Sequence, residues 1–95
     1  MHKIVPTYTV AHLAWEGDGI MALYKGDALI ETGDEYHHKI SARIAGFFFG
    51  LDHVGFEYIR DDIYVSEEDF DVVYDSEVPE NLDELRGAYL WRRDV

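Results

Sequence analysis

Tyr36, Ile40, Ile44, Phe47, Phe48 and Leu51 recur at steps of four, four, three, one and three. That spacing places six large apolar side chains on one stripe of a helix, and such a stripe must lie against another surface. The rest of the chain offers short β-branched and aromatic runs separated by turns, which is the material of a small sheet. A helix over about residues 35–51 is therefore expected to form the centre of the core, stopping near Gly55. Thr32-Gly33-Asp34-Glu35 has the form of a capping box, in which the Thr32 hydroxyl and the Glu35 carboxylate satisfy each other's free backbone N–H groups. Ala42, Ala45, Gly46 and Gly50 are small enough to let a second backbone approach. Phe47, Phe48 and Phe49 cannot all face one side; Phe49 is expected in the core against a second element, with a homodimer contact as the other reading.

The strands are expected on both sides of this helix. Residues 3–14 suit a strand with Pro6 at its edge or start, followed by a turn at Glu16-Gly17-Asp18-Gly19. Residues 20–24 and 28–31, joined by Lys25-Gly26-Asp27, read as a hairpin. Residues 56–59 and 63–65 read as one bent strand or two short ones, with Arg60-Asp61-Asp62 at a turn or bulge. Ser66-Glu67-Glu68-Asp69 can start a helix, but the following Phe70-Asp71-Val72-Val73-Tyr74 suits a strand equally well. Pro79 stands near the start of a last helix, with Leu82, Leu85, Tyr89 and Leu90 at amphipathic spacing. Arg86, Arg92 and Arg93 fall toward its negative end. The expected fold is α+β: a small antiparallel sheet with a hairpin, packed by one central amphipathic helix and a short C-terminal helix, as a single domain over residues 1–95.

Charge is distributed unevenly over this frame. Between Glu57 and Glu84 stand twelve carboxylates and one base, Arg60: Glu57, Asp61, Asp62, Glu67, Glu68, Asp69, Asp71, Asp75, Glu77, Glu80, Asp83 and Glu84. The net charge of this stretch, 1 − 12 = −11, is nearly all of the −12 of the chain; the first 56 residues hold seven acids and four bases. Like charges at this density oppose compaction, so they point to a solvated surface or to a face that meets something positive. Phe56, Tyr58, Ile63, Val65, Phe70, Val72 and Tyr74 run through the acids as apolar anchors, which mounts the charge on folded structure.

The same composition weighs against other functions. A chain of −12 is repelled by nucleic acid and by anionic lipid, so neither is expected as a direct partner. No apolar run approaches the roughly 18 residues of a membrane helix, and the N-terminus lacks the pattern of a secretory signal; a cytoplasmic protein is expected. There is no cysteine for a disulfide, a thiolate zinc site or a thiol nucleophile. No two of His2, His12, His37, His38 and His53 have the i, i+4 spacing of a helical zinc pair. Asp34 and His38 share a helical face at that spacing, yet supply only two ligands, and no metal site is expected. A calcium loop starting at Asp69 would match at Asp71 and Glu80 but has Tyr74 where the sharp turn needs glycine. None of Ser41, Ser66 and Ser76 sits on a nucleophile elbow, and Gly17-Asp18-Gly19 reads as a turn rather than half a dinucleotide fingerprint. Asp61-Asp62 could serve acid–base chemistry, but among twenty acids some such pair arises by chance. Neither catalysis nor a cofactor is expected. Trp15 and Trp91 read as caps on the edges of the core rather than interface anchors.

Trp15-x-Gly17-Asp18, Leu23-Tyr24 and Gly33-Asp34-x-Tyr36-His37-x-Lys39-Ile40 resemble segments of small bacteriophage proteins without an assigned activity. In size, charge and aromatic content the chain is similar in type to phage-encoded inhibitors of host defence, DNA mimics and anti-CRISPR proteins among them. That similarity carries no shared motif and transfers no residue role. It implies a stoichiometric inhibitor in the host cytoplasm, acting without a cofactor, and the charge of residues 57–84 points to the twelve carboxylates imitating DNA or RNA to a basic nucleic-acid-binding host protein. Duplex DNA carries one charge per about 1.7 Å of axis, so twelve carboxylates correspond to roughly 20 Å of it. A generic acidic interaction module and a halophile-type solvated domain are the alternatives, the latter disfavoured by the more nearly balanced N-terminal half.

Overall fold

The computed structural model describes residues 4–15, 18–66 and 78–93. Four strands and two helices follow in the order β1 (Thr7–Trp15), β2 (Asp18–Lys25), β3 (Ala28–Asp34), α1 (Ile40–His53), β4 (Ile59–Ser66) and α2 (Leu82–Arg93). The strands form one sheet in the order β3-β2-β1-β4. β1 runs antiparallel to β2 and β2 to β3, but β4 lies parallel to β1, with Thr7 opposite Ile59 and Leu13 opposite Val65. The α+β class holds, and the sheet is mixed rather than antiparallel. A parallel neighbour needs a crossover connection, and α1 provides it by carrying the chain from one edge of the sheet to the other.

Both faces of the sheet are covered. Ile40, Ile44 and Phe48 of α1 pack on Tyr8, Val10 and Leu23. Leu82 and Leu85 of α2 pack on Ala11, Leu13, Ala22, Tyr24 and Val65 on the opposite face. This explains why Ala22, Leu23 and Tyr24, three consecutive residues of β2, are all buried: side chains alternate across a strand, so a continuous apolar run requires a layer on each side. The Tyr24 hydroxyl ends its buried path by donating to the Pro79 carbonyl at 2.7 Å.

The expected hairpin is β2–β3, with Lys25 opposite Ala28 across Gly26-Asp27. Gly26 takes φ 59°, as the first central position of a tight hairpin turn favours. The earlier turn is shorter than expected, because Asp18 and Gly19 already belong to β2 and Trp15 pairs with Asp18.

The start of α1 differs from expectation. Thr32 and Gly33 stay in β3, paired with Ala22 and Met21, and the Thr32 hydroxyl donates to the Met21 carbonyl at 3.0 Å instead of capping a helix. A turn over residues 35–38 follows, closed by the Asp34 carboxylate, which accepts the His37 N–H at 2.5 Å. Lys39 then takes a left-handed conformation, φ 48°, and the helix begins at Ile40. Glu35 still caps it, accepting the Ser41 N–H at 2.6 Å, but from a turn outside the helix. Sheet pairing won over the local capping signal, and Tyr36, expected on the core stripe, is exposed; so is Phe49, expected in the core but one 100° step beyond Phe48 on the helix. The helix ends as its sequence suggests: Phe56 N–H donates to the Leu51 carbonyl, Gly55 N–H to that of Asp52, and Gly55 has φ 73°.

β4 is one continuous strand. Arg60-Asp61-Asp62 lies within it, paired with Tyr8, Thr9 and Val10, whereas residues 56–58 precede it. The charges are tolerated because β4 is an edge strand, where polar side chains reach water. The expected helix or strand over residues 67–74 falls outside the described residues, as does the Glu16-Gly17 part of the first turn.

Candidate interaction surface

Six of the twelve carboxylates lie among the described residues: Glu57, Asp61, Asp62, Glu80, Asp83 and Glu84. Glu67, Glu68, Asp69, Asp71, Asp75 and Glu77 lie outside them. Asp61 and Asp62 do not share a face. Alternation along β4 turns Asp62 toward the α1 side, where it meets His12, and Asp61 toward the α2 side, where it meets Arg86 of α2 at 3.3 Å.

Asp62 is held by its own neighbours. Arg60, two residues away on the same face, donates from Nε at 2.8 Å and from Nη2 at 3.1 Å. His12 Nε2 donates from the adjoining strand at 2.8 Å. These hydrogen bonds, Arg60 first, outweigh partial burial and hold the Asp62 carboxyl below its ordinary value. The same carboxylate pushes the Arg60 guanidinium up. The guanidinium also lies over the Phe48 ring, 4.7 Å from its centroid, and the His12 imidazole stacks on Tyr64 at 4.3 Å. Asp62 thus ties the edge strand to β1 and to the α1 core, and its charge is largely answered within the chain. His12 and Tyr64 carry no signal in the sequence, because only the parallel β1–β4 register makes them neighbours.

The α2 side is arranged differently. Asp61, Glu80, Asp83 and Glu84 are exposed there, and Arg86 provides the one ion pair to them among the described residues. Exposed pairs of that kind contribute about 0–1 kcal/mol and are screened by salt. Asp27, from the β2–β3 turn, adds a further carboxylate at the start of α2. Its Oδ1 accepts the Asp83 N–H and its Oδ2 accepts from Asn81 Nδ2, both at 2.8 Å, while its backbone carbonyl accepts the Leu82 N–H at 2.9 Å. The Asn81 carbonyl takes the N–H groups of Glu84 and Leu85. The first turn of α2 is therefore satisfied, and the acids of that turn lie where the helix dipole favours them. Glu57 stands apart from this group, exposed in the segment between α1 and β4.

A second polar cluster surrounds Asp34. His37 Nδ1 and His38 Nδ1 stand 3.3 and 3.6 Å from Asp34 Oδ2. The backbone N–H of His37, ahead of the imidazoles, lowers the Asp34 carboxyl from its ordinary value. Gly33 is required here, since a Cβ at that position would stand 2.8 Å from the His38 Cβ. Among the described residues no group of three or more histidine or carboxylate side chains is placed to hold a metal ion, and no helix is long and apolar enough to cross a membrane. No family model matches the chain, and no curated protein or solved structure matches it at a significant level.

Proposed function

We propose that this protein binds and blocks a basic nucleic-acid-binding protein, using carboxylates on its α2 side in place of the phosphates of DNA or RNA. One observation carries the reading: Asp61 of β4, Glu80 just ahead of α2, and Asp83 and Glu84 of α2 are exposed, with a single arginine, paired to Asp61, against them among the described residues. Acids fixed on strand and helix keep their spacing, and an ordered array is what a phosphate-binding groove can recognise. Long-range attraction to such a groove raises the association rate. Asp62 is not in the contact set, because its charge is already answered by Arg60 and His12. The six acids between residues 67 and 77 extend the proposed array on their sequence positions, and Glu57 adds a carboxylate apart from the α2 side. The similarity in type to phage-encoded inhibitors supports a host partner in the cytoplasm, and the inhibition is stoichiometric, without cofactor or catalysis.

The test is competition. A panel of basic DNA- and RNA-binding proteins is equilibrated with labelled nucleic acid at low salt, and this protein is titrated in. Displacement that weakens steeply as salt rises is expected. Neutralising Asp61, Glu80, Asp83 and Glu84 one at a time should weaken binding by less than about fivefold each, since rim charges contribute up to about 1 kcal/mol. Neutralising all four together should abolish displacement. Failure to displace nucleic acid from any basic protein at low salt would overturn the proposal.

A further inference from the structure

The turn between β3 and α1 is closed around one imidazole. His38 Nδ1 accepts the Asp34 N–H at 3.2 Å, and the His38 N–H returns a bond to the Asp34 carbonyl at 3.1 Å. The ring is seated against β3: a Cβ added at Gly33 would stand 2.9 Å from His38 Cγ and 3.1 Å from Nδ1. An imidazole nitrogen accepts a hydrogen bond only while it carries no proton, so this closure belongs to the neutral ring protonated on Nε2. The other bonds of the turn have no such condition. His37 N–H donates to Asp34 Oδ1, Ser41 N–H to Glu35 Oε1, and Glu35 N–H to the Gly19 carbonyl.

We propose that His38 is a proton-operated latch on this turn. Neutral, it holds the Asp34 N–H; protonated, it releases that N–H and turns its Nδ1–H toward the Asp34 carboxylate. The new acceptor is already at hand. Asp34 Oδ2 stands 3.6 Å from Nδ1, and a shift of roughly 1 Å brings the two to hydrogen-bonding distance. The His37 N–H holds the Asp34 carboxyl below its ordinary value, so it is still ionised when the imidazole takes up its proton. His37 shares the same oxygen: its Nδ1 is 3.3 Å from Oδ2, and its ring lies 6.3 Å from that of His38 and edge-on to Tyr36 at 4.7 Å. Of the charged groups nearby, Glu35 is bound to the Ser41 N–H, and Glu31 of β3 is paired with Arg43 of α1 at 2.7 Å. Lys39 follows His38 in the left-handed conformation that precedes α1. Opposite Asp34 and Gly33, β2 places Ile20 and Met21, which do not titrate. Both imidazoles are exposed, so water delivers the proton to each. The turn has a net negative charge while both rings are neutral and a net positive one when both are protonated. One bond depends on the proton, so the latch loosens the entry to α1 and leaves the helix itself in place. The device is independent of the carboxylates on the α2 side.

Nuclear magnetic resonance of the isotope-labelled protein between about pH 8 and about pH 5 tests the latch. The ring nitrogens of neutral His38 should report a bare Nδ1 and a protonated Nε2. The Asp34 amide signal should move along the same curve as the His38 ring. Its hydrogen exchange, relative to an unstructured chain at each pH, should quicken about two- to tenfold as that ring is protonated. The Ile44 amide, within α1, should keep its protection. His38→Asn, whose Oδ1 takes the place of Nδ1 without titrating, should keep the Asp34 amide protected and remove the pH dependence of that protection. His38→Ala should leave the amide unprotected at every pH, and His37→Asn should leave the change linked to His38 in place. A proton on Nδ1 of neutral His38, or an Asp34 amide that ignores the His38 titration, would overturn the proposal. So would a pH-dependent protection of Asp34 that survives in His38→Asn.

Discussion

Replacing Asp27 with alanine removes the cap of a helix that begins more than fifty residues further along the chain. The Asp27 carboxylate accepts the Asp83 N–H and the Asn81 side-chain amide, each at 2.8 Å. The helix-capping bond is worth about 1 kcal/mol within a range of roughly 0.5–2. The exposed bond from Asn81 adds about 0.5–1 kcal/mol. Losing one negative charge from an acidic chain offsets about 0.3 kcal/mol of this, so the net loss is about 1.2–1.7 kcal/mol. A domain of this size has roughly 5–14 kcal/mol of stability in total, and its melting temperature should fall by about 5–14 °C. Urea unfolding followed by far-ultraviolet circular dichroism measures the change, with Glu80→Ala as an exposed control expected within about 0.5 kcal/mol of the parent. Asp27→Ala and Asn81→Ala should be non-additive, because one removes the partner of the other. If Asp27→Ala destabilises by no more than the control, or adds fully to Asn81→Ala, the cap does not hold α2 and the argument fails.

Gly33→Ala should cost about 1–3 kcal/mol, since the new methyl meets the His38 Cβ at 2.8 Å; His38→Gly in the same chain should recover part of the loss in urea titrations, whereas His38→Ala should not. Phe48→Ala should cost about 3–5 kcal/mol because its ring is buried against Tyr8 and Tyr58. Phe49→Ala, one residue on, should change the unfolding of the dilute protein by less than about 0.5 kcal/mol. Asp62 has a folded-state pKa below the 3.8 of a free carboxyl, so its contribution is fully present above that value and lost as pH falls through the lower folded-state value. Asp62→Asn should therefore reduce the loss of stability on acidification below about pH 4, seen as a shallower slope of unfolding free energy against pH.

The core stripe of α1 is legible in the sequence because helical periodicity is local: Ile40, Ile44 and Phe48 are buried as their spacing requires. Gly26 and Gly55 mark a hairpin turn and a helix end for an equally local reason, the positive φ that glycine allows. Leu82 and Leu85 likewise place a helix after Pro79. The start of α1 is not local. Thr32 and Glu35 have the residues of a capping box, but β2 offers Thr32 a sheet partner, and backbone pairing across strands outweighs a single cap. The six described acids show the same division. Their presence in a charged stretch follows from composition, whereas the opposite faces of Asp61 and Asp62 follow from β4 being a strand bound to β1. The pairing of Asp62 with His12 needs the parallel register, which depends on a crossover between segments fifty residues apart. Local spacing therefore determines which residues can form each element. Which side chains those elements leave facing water, Phe49 and the carboxylates of the α2 side among them, is decided only when the layers close on one another.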